Sequence, residues 1–314
     1  MLDISLKNFE ADVINASMQQ PVLLDIWAPW CGPCKSLGPV LEKLEVAYAG
    51  RFKLTKLNSD EQPEISGQLS QMFGVRSIPF CVLFKDGQPI DGFVGALPEA
   101  QVRAFLDNHV PSAEQTAGEE DLQAAQELLA EGDTGGGIEK LRDALALDPA
   151  NDNARYDYLR ALLGAGRIAE AREAYAPAAG RIVPDARLSA CGLWLDACEV
   201  APRARPPEVL EQAVAANKRD FDARLELAQT HFAAQRFTQA MDELLEIVMR
   251  DKVWRDGLAR RNYVAILELM GKPAAKPAEA AGPKGTLEVA STRAVVASDP
   301  VVDGYRRRLS MALF

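Results

Sequence analysis

Along residues 1–110, short apolar runs alternate with amphipathic segments. Pro21-Val22-Leu23-Leu24-Asp25-Ile26-Trp27 is apolar at nearly every position, the pattern of a strand buried on both faces. Apolar spacing of three and four residues then predicts a helix over 35–48. Further on come a strand at 52–57, a helix at 64–73, strands at 81–84 and 90–94, and a helix at 99–108. Between the last two strands, Lys85-Asp86-Gly87-Gln88 reads as a hairpin turn. Strands interleaved with helices make this an α/β domain. Pro111 and the polar residues 112–118 read as a short linker.

From Glu119 onward the strand pattern stops, and Ala, Leu, Glu and Arg recur with helical spacing. Gly132 and Gly166, each between two helical segments, lie 34 positions apart, the length of a tetratricopeptide unit. With Gly118 as the first position, Ala125, Leu128, Gly137, Leu141, Ala144 and Pro149 fill the small, large and proline sites of that repeat. Asp152 opens a second unit, with Leu159, Leu162, Ala171, Tyr175 and Ala178 in register and Pro184 one place late. Phe221 opens another, with Ala228, His231, Ala240, Leu244 and Ile247, and with Gln235 where the earlier units have glycine. Gln235 lies 69 residues beyond Gly166, so an imperfect unit interrupted by Pro202, Pro206 and Pro207 fills 185–217. Residues 255–270 read as a capping helix, which bounds an all-α repeat domain at 119–270. Residues 271–302 read as a flexible Pro/Ala/Lys-rich spacer or insertion, with some β-branched alternation at 286–298. A last helix is expected at 303–314, where Tyr305, Leu309, Ala312 and Leu313 share one apolar face beside Arg306, Arg307 and Arg308.

Composition narrows the function classes. A chain of 314 residues is too long for one core, in keeping with this division. The net charge of −10 is carried unevenly: nine basic and 13 acidic residues over 1–110, 19 and 28 over 111–270, seven and four over 271–314. An acidic chain with no basic, aromatic-laced patch is not built for nucleic acid. No run approaches the roughly 20 apolar residues that cross a bilayer, and the first 17 residues lack a basic end followed by an apolar run. A cytoplasmic protein without membrane contact is expected. Five cysteines, an odd number without framework spacing, point to a reducing compartment.

Trp30-Cys31-Gly32-Pro33-Cys34-Lys35 follows the apolar strand and opens the first helix. Cys31 there meets the positive end of the helix dipole and free backbone N–H groups, which favour thiolate over thiol. Cys34, one turn further in, is within disulfide reach and suited to resolving a mixed disulfide. Asp25 sits in mid-strand, where burial raises its pKa and suits it to accept the Cys34 proton. The Ile78-Pro79 bond can be cis, leaving open backbone for an extended substrate. Blander readings stand beside these: half a zinc site for the two cysteines, a solvated edge position for Asp25, a surface charge for Lys56, and core positions for Cys81, Cys191, Cys198, His231 and Trp194.

With Asp25, WCGPCK, Lys56-Leu57-Asn58, Val75 to Pro79, Leu83 to Gly87 and Val94 to Leu97, residues 1–110 resemble thioredoxin. The resemblance implies that Cys31 is the nucleophile, Cys34 the resolving thiol, Asp25 the proton acceptor assisted by Lys56, and Pro79 the cis proline. It also implies that Trp30, Ile78, Gly95 and Ala96 form an apolar rim for client polypeptide. Because Cys81, Cys191 and Cys198 supply no second CxxC and the only histidines are His109 and His231, no metal is expected, nor any other cofactor.

An α/β thioredoxin-like domain, tetratricopeptide-like repeats, and a tail Tyr-Arg-Arg-x-Leu together resemble the bacterial chaperedoxins, with Leu122 to Ala125 and Ala240 to Leu245 adding to the likeness. That resemblance implies a co-chaperone that holds unfolding or oxidised client proteins under oxidative stress and protects their cysteines as mixed disulfides. It then hands them to a chaperonin and a DnaK-type chaperone, with Tyr305, Arg306, Arg307, Leu309 and Leu313 docking on the chaperonin. Some members lack the first active-site cysteine; this chain keeps both, and its stretch at 272–298 is an insertion before the tail. The alternatives are a thiol-disulfide reductase whose repeats select protein substrates, and a passive scaffold, which intact Cys31, Cys34 and Asp25 argue against. For the tail the alternative is a helix that folds back to cap the repeats.

Overall fold

The structure is a computed structural model, and it describes residues 2–181, 183–271 and 299–313. Two compact units meet in sequence at Ala117 and Gly118, the first α/β and the second helical.

The first unit is a five-stranded mixed sheet of β1 (Leu2–Asp3), β2 (Val22–Trp27), β3 (Lys53–Asn58), β4 (Phe80–Lys85) and β5 (Gln88–Val94), in the spatial order β1-β3-β2-β4-β5. β1 and β2 run parallel to β3, while β2 pairs antiparallel with β4 and β4 with β5. Helices α1 (Gly32–Ala47) and α3 (Glu99–His109) cover one face, and α2 (Pro63–Phe73) covers the other with the residues before β2. Because side chains alternate along a strand, β2 sends Leu23 into the cluster with Leu37, Leu41, Val102 and Leu106, and Val22, Leu24 and Ile26 into the cluster with Ile65 and Leu69. Both faces are therefore buried, which is why the run 21–27 reads as continuously apolar. Asp25 shares the parity of Leu23 and so lies on the α1 side. The expected hairpin forms at Asp86 and Gly87, whose φ values of 52° and 79° belong to the left-handed region a two-residue turn requires.

One expectation is corrected at the junction. Residues 113–118 are not linker but the start of α4 (Ala113–Ala130). Ser112 Oγ accepts from Gln115 N at 3.2 Å while Ser112 N donates to Gln115 Oε1 at 2.9 Å, a reciprocal cap that satisfies two of the free N–H groups of the first turn.

In the second unit the helices alternate as the repeat predicts: α5 (Thr134–Leu147) after α4, α6 (Asp152–Gly164) with α7 (Ile168–Tyr175), α8 (Ala186–Val200) with α9 (Pro207–Ala216), and α10 (Phe221–Ala233) with α11 (Phe237–Arg250). The imperfect unit at 185–217 thus holds two helices, of which α9 packs on α10 through Leu210, Ala223 and Leu227, with Pro206 and Pro207 at the start of α9, where a missing N–H costs nothing. Gly132, Gly166 and Gln235 occupy the three turns with φ of 90°, 72° and 59°. Small residues mark close approaches. A Cβ on Gly137 would come within 2.6 Å of Leu129. Trp194, stacked on Phe232, and Cys191 are buried, Cys198 is half-buried, and half-buried His231 accepts from Arg236 Nε at 2.9 Å. α12 (Trp254–Met270) follows, with left-handed backbone at Arg255, Asp256 and Gly257, so its regular part begins at Leu258 rather than at residue 255.

The spacer at 272–298 lies outside the described residues. Beyond it, α13 (Pro300–Leu313) packs on α11 and α12. The apolar face of the tail is therefore covered: Val302 and Leu309 are buried at 2% and 8% exposure, and Tyr305, Ala312 and Leu313 pack against the repeat core. Tyr263 Oη donates to the Tyr305 carbonyl at 2.9 Å, Lys252 Nζ to the Leu313 carbonyl at 2.7 Å, and Tyr305 Oη to Asp242 Oδ1 at 3.2 Å. Arg308 also reaches Asp242 Oδ1, at 2.7 Å. Arg306 and Arg307 remain exposed.

Candidate redox site

β2 ends at Trp27 and α1 begins five residues later at Gly32, so the strand delivers Cys31 to the helix N-terminus. Cys31 is the N-cap of α1, and its Sγ accepts from Cys34 N at 3.1 Å. A sulfur held there sees the unpaired N–H groups of the first turn and the positive end of the dipole, which stabilise it as an anion when the disulfide opens. Cys31 and Cys34 are joined in a disulfide with their Cα atoms 5.3 Å apart. Both are buried in a small cluster with Ala28, Trp27 and Ile78. Among the described residues no group of three or more His, Cys, Asp or Glu side chains is placed to hold a metal ion.

The residues expected at the rim stand around this bond. The Ile78-Pro79 peptide is cis, and Ile78 packs against the cysteine pair. The Pro79 carbonyl accepts from Gly95 N at 2.8 Å, which ties the segment after β5 to the proline. Trp30 is 69% exposed, and its Nε1 donates to Asp60 Oδ2 at 2.9 Å. Ala96 is exposed beside Gly95.

Asp25 is 4% exposed. Burial pushes its carboxyl up to about 6, opposed by a hydrogen bond from Cys81 and by the charge of Lys56. Sheet register explains both neighbours, because Asp25 pairs with Lys56 on β3 and with Cys81 on β4, which makes one row across three strands. Lys56 Nζ forms no ion pair with Asp25 among the described residues; it lies 3.5 Å from Asp3 Oδ1 and over the Trp27 ring. Cys81 Sγ is 3.6 Å from Asp25 Oδ1. Sequence reasoning had Cys81 as core only, and it passed over Asp60 and Gly92. Gly92 matters because a Cβ on it would lie 2.6 Å from the Cys81 carbonyl. The signal for Cys81 was available in its parity on β4, but only once the register with β2 is known.

Three family models match: Thioredoxin over residues 1–108, and two described as Tetratricopeptide repeat over 128–190 and 201–280. Over 110 residues the chain is 44% identical to Thioredoxin of Haemophilus influenzae, which covers 35% of this chain and 97% of that protein. It is 42% identical over 102 residues to Thioredoxin 1 of Synechococcus elongatus, covering 32% of this chain and 90% of the relative. Thioredoxin of Acidithiobacillus ferridurans is 44% identical over 110 residues, covering 35% and 96%. These relatives match the first unit and leave the repeats unmatched. A disulfide at a helix N-terminus, preceded by a strand that carries a buried carboxyl and followed by tetratricopeptide repeats, supports a redox and protein-interaction role. The chain belongs to the thioredoxin family, as a member whose redox domain continues into tetratricopeptide repeats.

Proposed function

We propose that this protein is a cytoplasmic, chaperedoxin-like co-chaperone that holds unfolding proteins, guards their cysteines through mixed disulfides, and passes them to chaperonin and DnaK-type machinery. The observation that carries the redox half is the row Lys56, Asp25, Cys81 in the sheet whose strand β2 leads into the Cys31–Cys34 disulfide at the start of α1. In the reduced protein the Cys31 thiolate attacks a client disulfide, one client sulfur leaves, and a Cys31–client disulfide forms. Cys34 then gives its proton to the Asp25 carboxylate, and its sulfur attacks Cys31. The Cys31–client bond breaks, the client sulfur leaves as thiolate, and the Cys31–Cys34 disulfide closes with two electrons passed to the client. Lys56 favours the ionised carboxylate, while Trp30, Ile78, Pro79, Gly95 and Ala96 supply apolar surface and backbone for an extended client. Three cysteines outside the disulfide, Cys81, Cys191 and Cys198, are unpaired, in keeping with a reducing compartment.

The test is trapping in the full chain. With Cys34→Ala, mixed disulfides to cellular proteins accumulate; with Cys31→Ala they do not. Equal trapping by both variants would overturn the assignment. Holding is separable from redox work: the chain with both cysteines replaced by alanine still suppresses aggregation of an unfolding client, and loss of suppression counts against it.

Delivery is assigned to α13. Its apolar face, Tyr305, Leu309 and Leu313, docks on the chaperonin after release from α11 and α12, with Arg306 and Arg307 flanking the contact. The covered state of that face favours a second reading, a thiol-disulfide reductase whose repeats select substrates and whose last helix is only a cap. Co-purification separates the two: the chaperonin accompanies the full chain but not an Arg306→Glu/Arg307→Glu variant, and under the second reading it accompanies neither.

A further inference from the structure

The disulfide leaves one cysteine of the first unit over, and that residue faces the redox carboxyl. In the antiparallel pairing of β2 with β4, Cys81 stands directly opposite Asp25, where Cβ atoms come within about 4.5–5.5 Å. Its Sγ lies 3.6 Å from Asp25 Oδ1, inside the longer reach of a sulfur donor, and no other side chain among the described residues hydrogen-bonds to Asp25. Cys81 is fully buried. Burial, and then the Asp25 charge and the hydrogen bond itself, hold its thiol well above the usual range. A thiol kept protonated in this way is a donor and not a nucleophile.

The surroundings of Asp25 decide what that donor does. β3 contributes Lys56, next in the row. The first turn of α1, which follows the same strand, carries Cys34, bonded to Cys31. α3 packs Val102 and Leu106, with Phe105, into the apolar cluster on this face, and its charged Arg103 and Asp107 contact Tyr48. Burial opposes ionisation of Asp25 first, and the two influences working against burial are the Cys81 hydrogen bond and, after it, the Lys56 charge. Gly92 on β5 fits the same picture, because its missing Cβ lets the backbone of β4 at Cys81 lie flat against β5.

We propose that Cys81 is a positioning residue for the redox step: its thiol proton, donated to Asp25 Oδ1, orients the carboxylate and lowers its affinity for a proton. The consequence is a carboxyl that is ionised, and so able to accept a proton, at a lower pH than burial alone permits. This rests on the reading of Asp25 as the acceptor of the Cys34 proton.

The experiment compares the full oxidised chain with Cys81→Ala, which removes the donor, and Cys81→Ser, which keeps one. Asp25 is titrated directly by carboxyl carbon NMR. Its midpoint is expected to rise by about one pH unit in Cys81→Ala, a tenfold gain in proton affinity, and to return toward or below the wild-type value in Cys81→Ser. A filler role in the core predicts instead that both variants melt earlier and leave the midpoint in place, and that result overturns the proposal. Should neither variant fold, the wild-type infrared S–H band of Cys81 serves, isolated as the difference from Asp25→Asn. A band that moves as Asp25 ionises supports the hydrogen bond, and one that does not move overturns it. The resolution rate of a mixed disulfide, followed against pH, keeps the two readings apart. A displaced titration without a displaced rate profile leaves Cys81 tuning Asp25 and removes Asp25 from the proton transfer.

Discussion

Asp25 shows how one residue sets the stability and the chemistry of the redox unit against each other. Its carboxyl titrates near 3.8 in an unfolded chain and near 6 in the folded one, chiefly because burial disfavours the charge. Between those values the folded state binds more protons than the unfolded state, so stability falls as pH rises from about 4 to about 6 and is level above. A shift of about two units corresponds to about 3 kcal/mol at neutral pH. Asp25→Asn is therefore expected to raise the stability of the oxidised chain at pH 7 by up to about 3 kcal/mol and to flatten that slope. Denaturant midpoints measured across this pH range check it, and a slope that persists in the variant would count against a buried, ionised carboxyl. Much of this site was legible beforehand, because the WCGPCK motif and an acid inside an apolar run are local in sequence. Cys81 was not, since it lies 56 residues from Asp25 and only strand register joins them.

At the scale of elements, the repeat turns carry the same lesson with opposite outcomes. Gly132, Gly166 and Gln235 all hold left-handed backbone, and the spacing of the glycines already located Gln235 as their equivalent. A side chain in that conformation costs about 1–2 kcal/mol, part of which glycine gives back through its freer unfolded chain. Gln235→Gly is thus expected to stabilise the repeat unit by about 0.5–1 kcal/mol, read as a higher denaturant midpoint of the helical signal. The substitution removes a long, exposed hydrogen bond from Gln235 Nε2 to the Gly164 carbonyl, at 3.4 Å. A lower midpoint would show that this bond outweighs the strain. The start of α4 went the other way. Residues 112–118 are polar and lack an apolar stripe, so they resembled linker, yet Ser112 and Gln115 supply a reciprocal cap and the helix begins there. Periodicity registers buried faces, and a helix turn that buries little leaves only its capping pair to find.

The tail is where the composition of the whole molecule enters. Net positive charge is confined to 271–314 on an otherwise acidic chain, which suits a docking helix. In the structure that helix is seated, with Leu309 and Val302 buried and Asp242 of α11 holding both Tyr305 Oη and Arg308. Apolar repeats need a cover at their end, and the tail's spacing of apolar positions serves a cover and a docking peptide equally well. Docking through the apolar face, as proposed, would compete with this seat, and the apparent affinity would fall by the fraction of helix not released. Asp242 belongs to the seat and not to the helix. Both its contacts are largely exposed, so removing them weakens the seat by about 0.2–1 kcal/mol. Asp242→Ala is therefore expected to tighten chaperonin binding by up to about fivefold while slightly lowering the thermal stability of the repeat unit. Titration calorimetry with purified chaperonin reads the first and a melting curve the second. Unchanged affinity alongside a lowered melting temperature would mean that the covered face never docks, and that α13 is a cap alone.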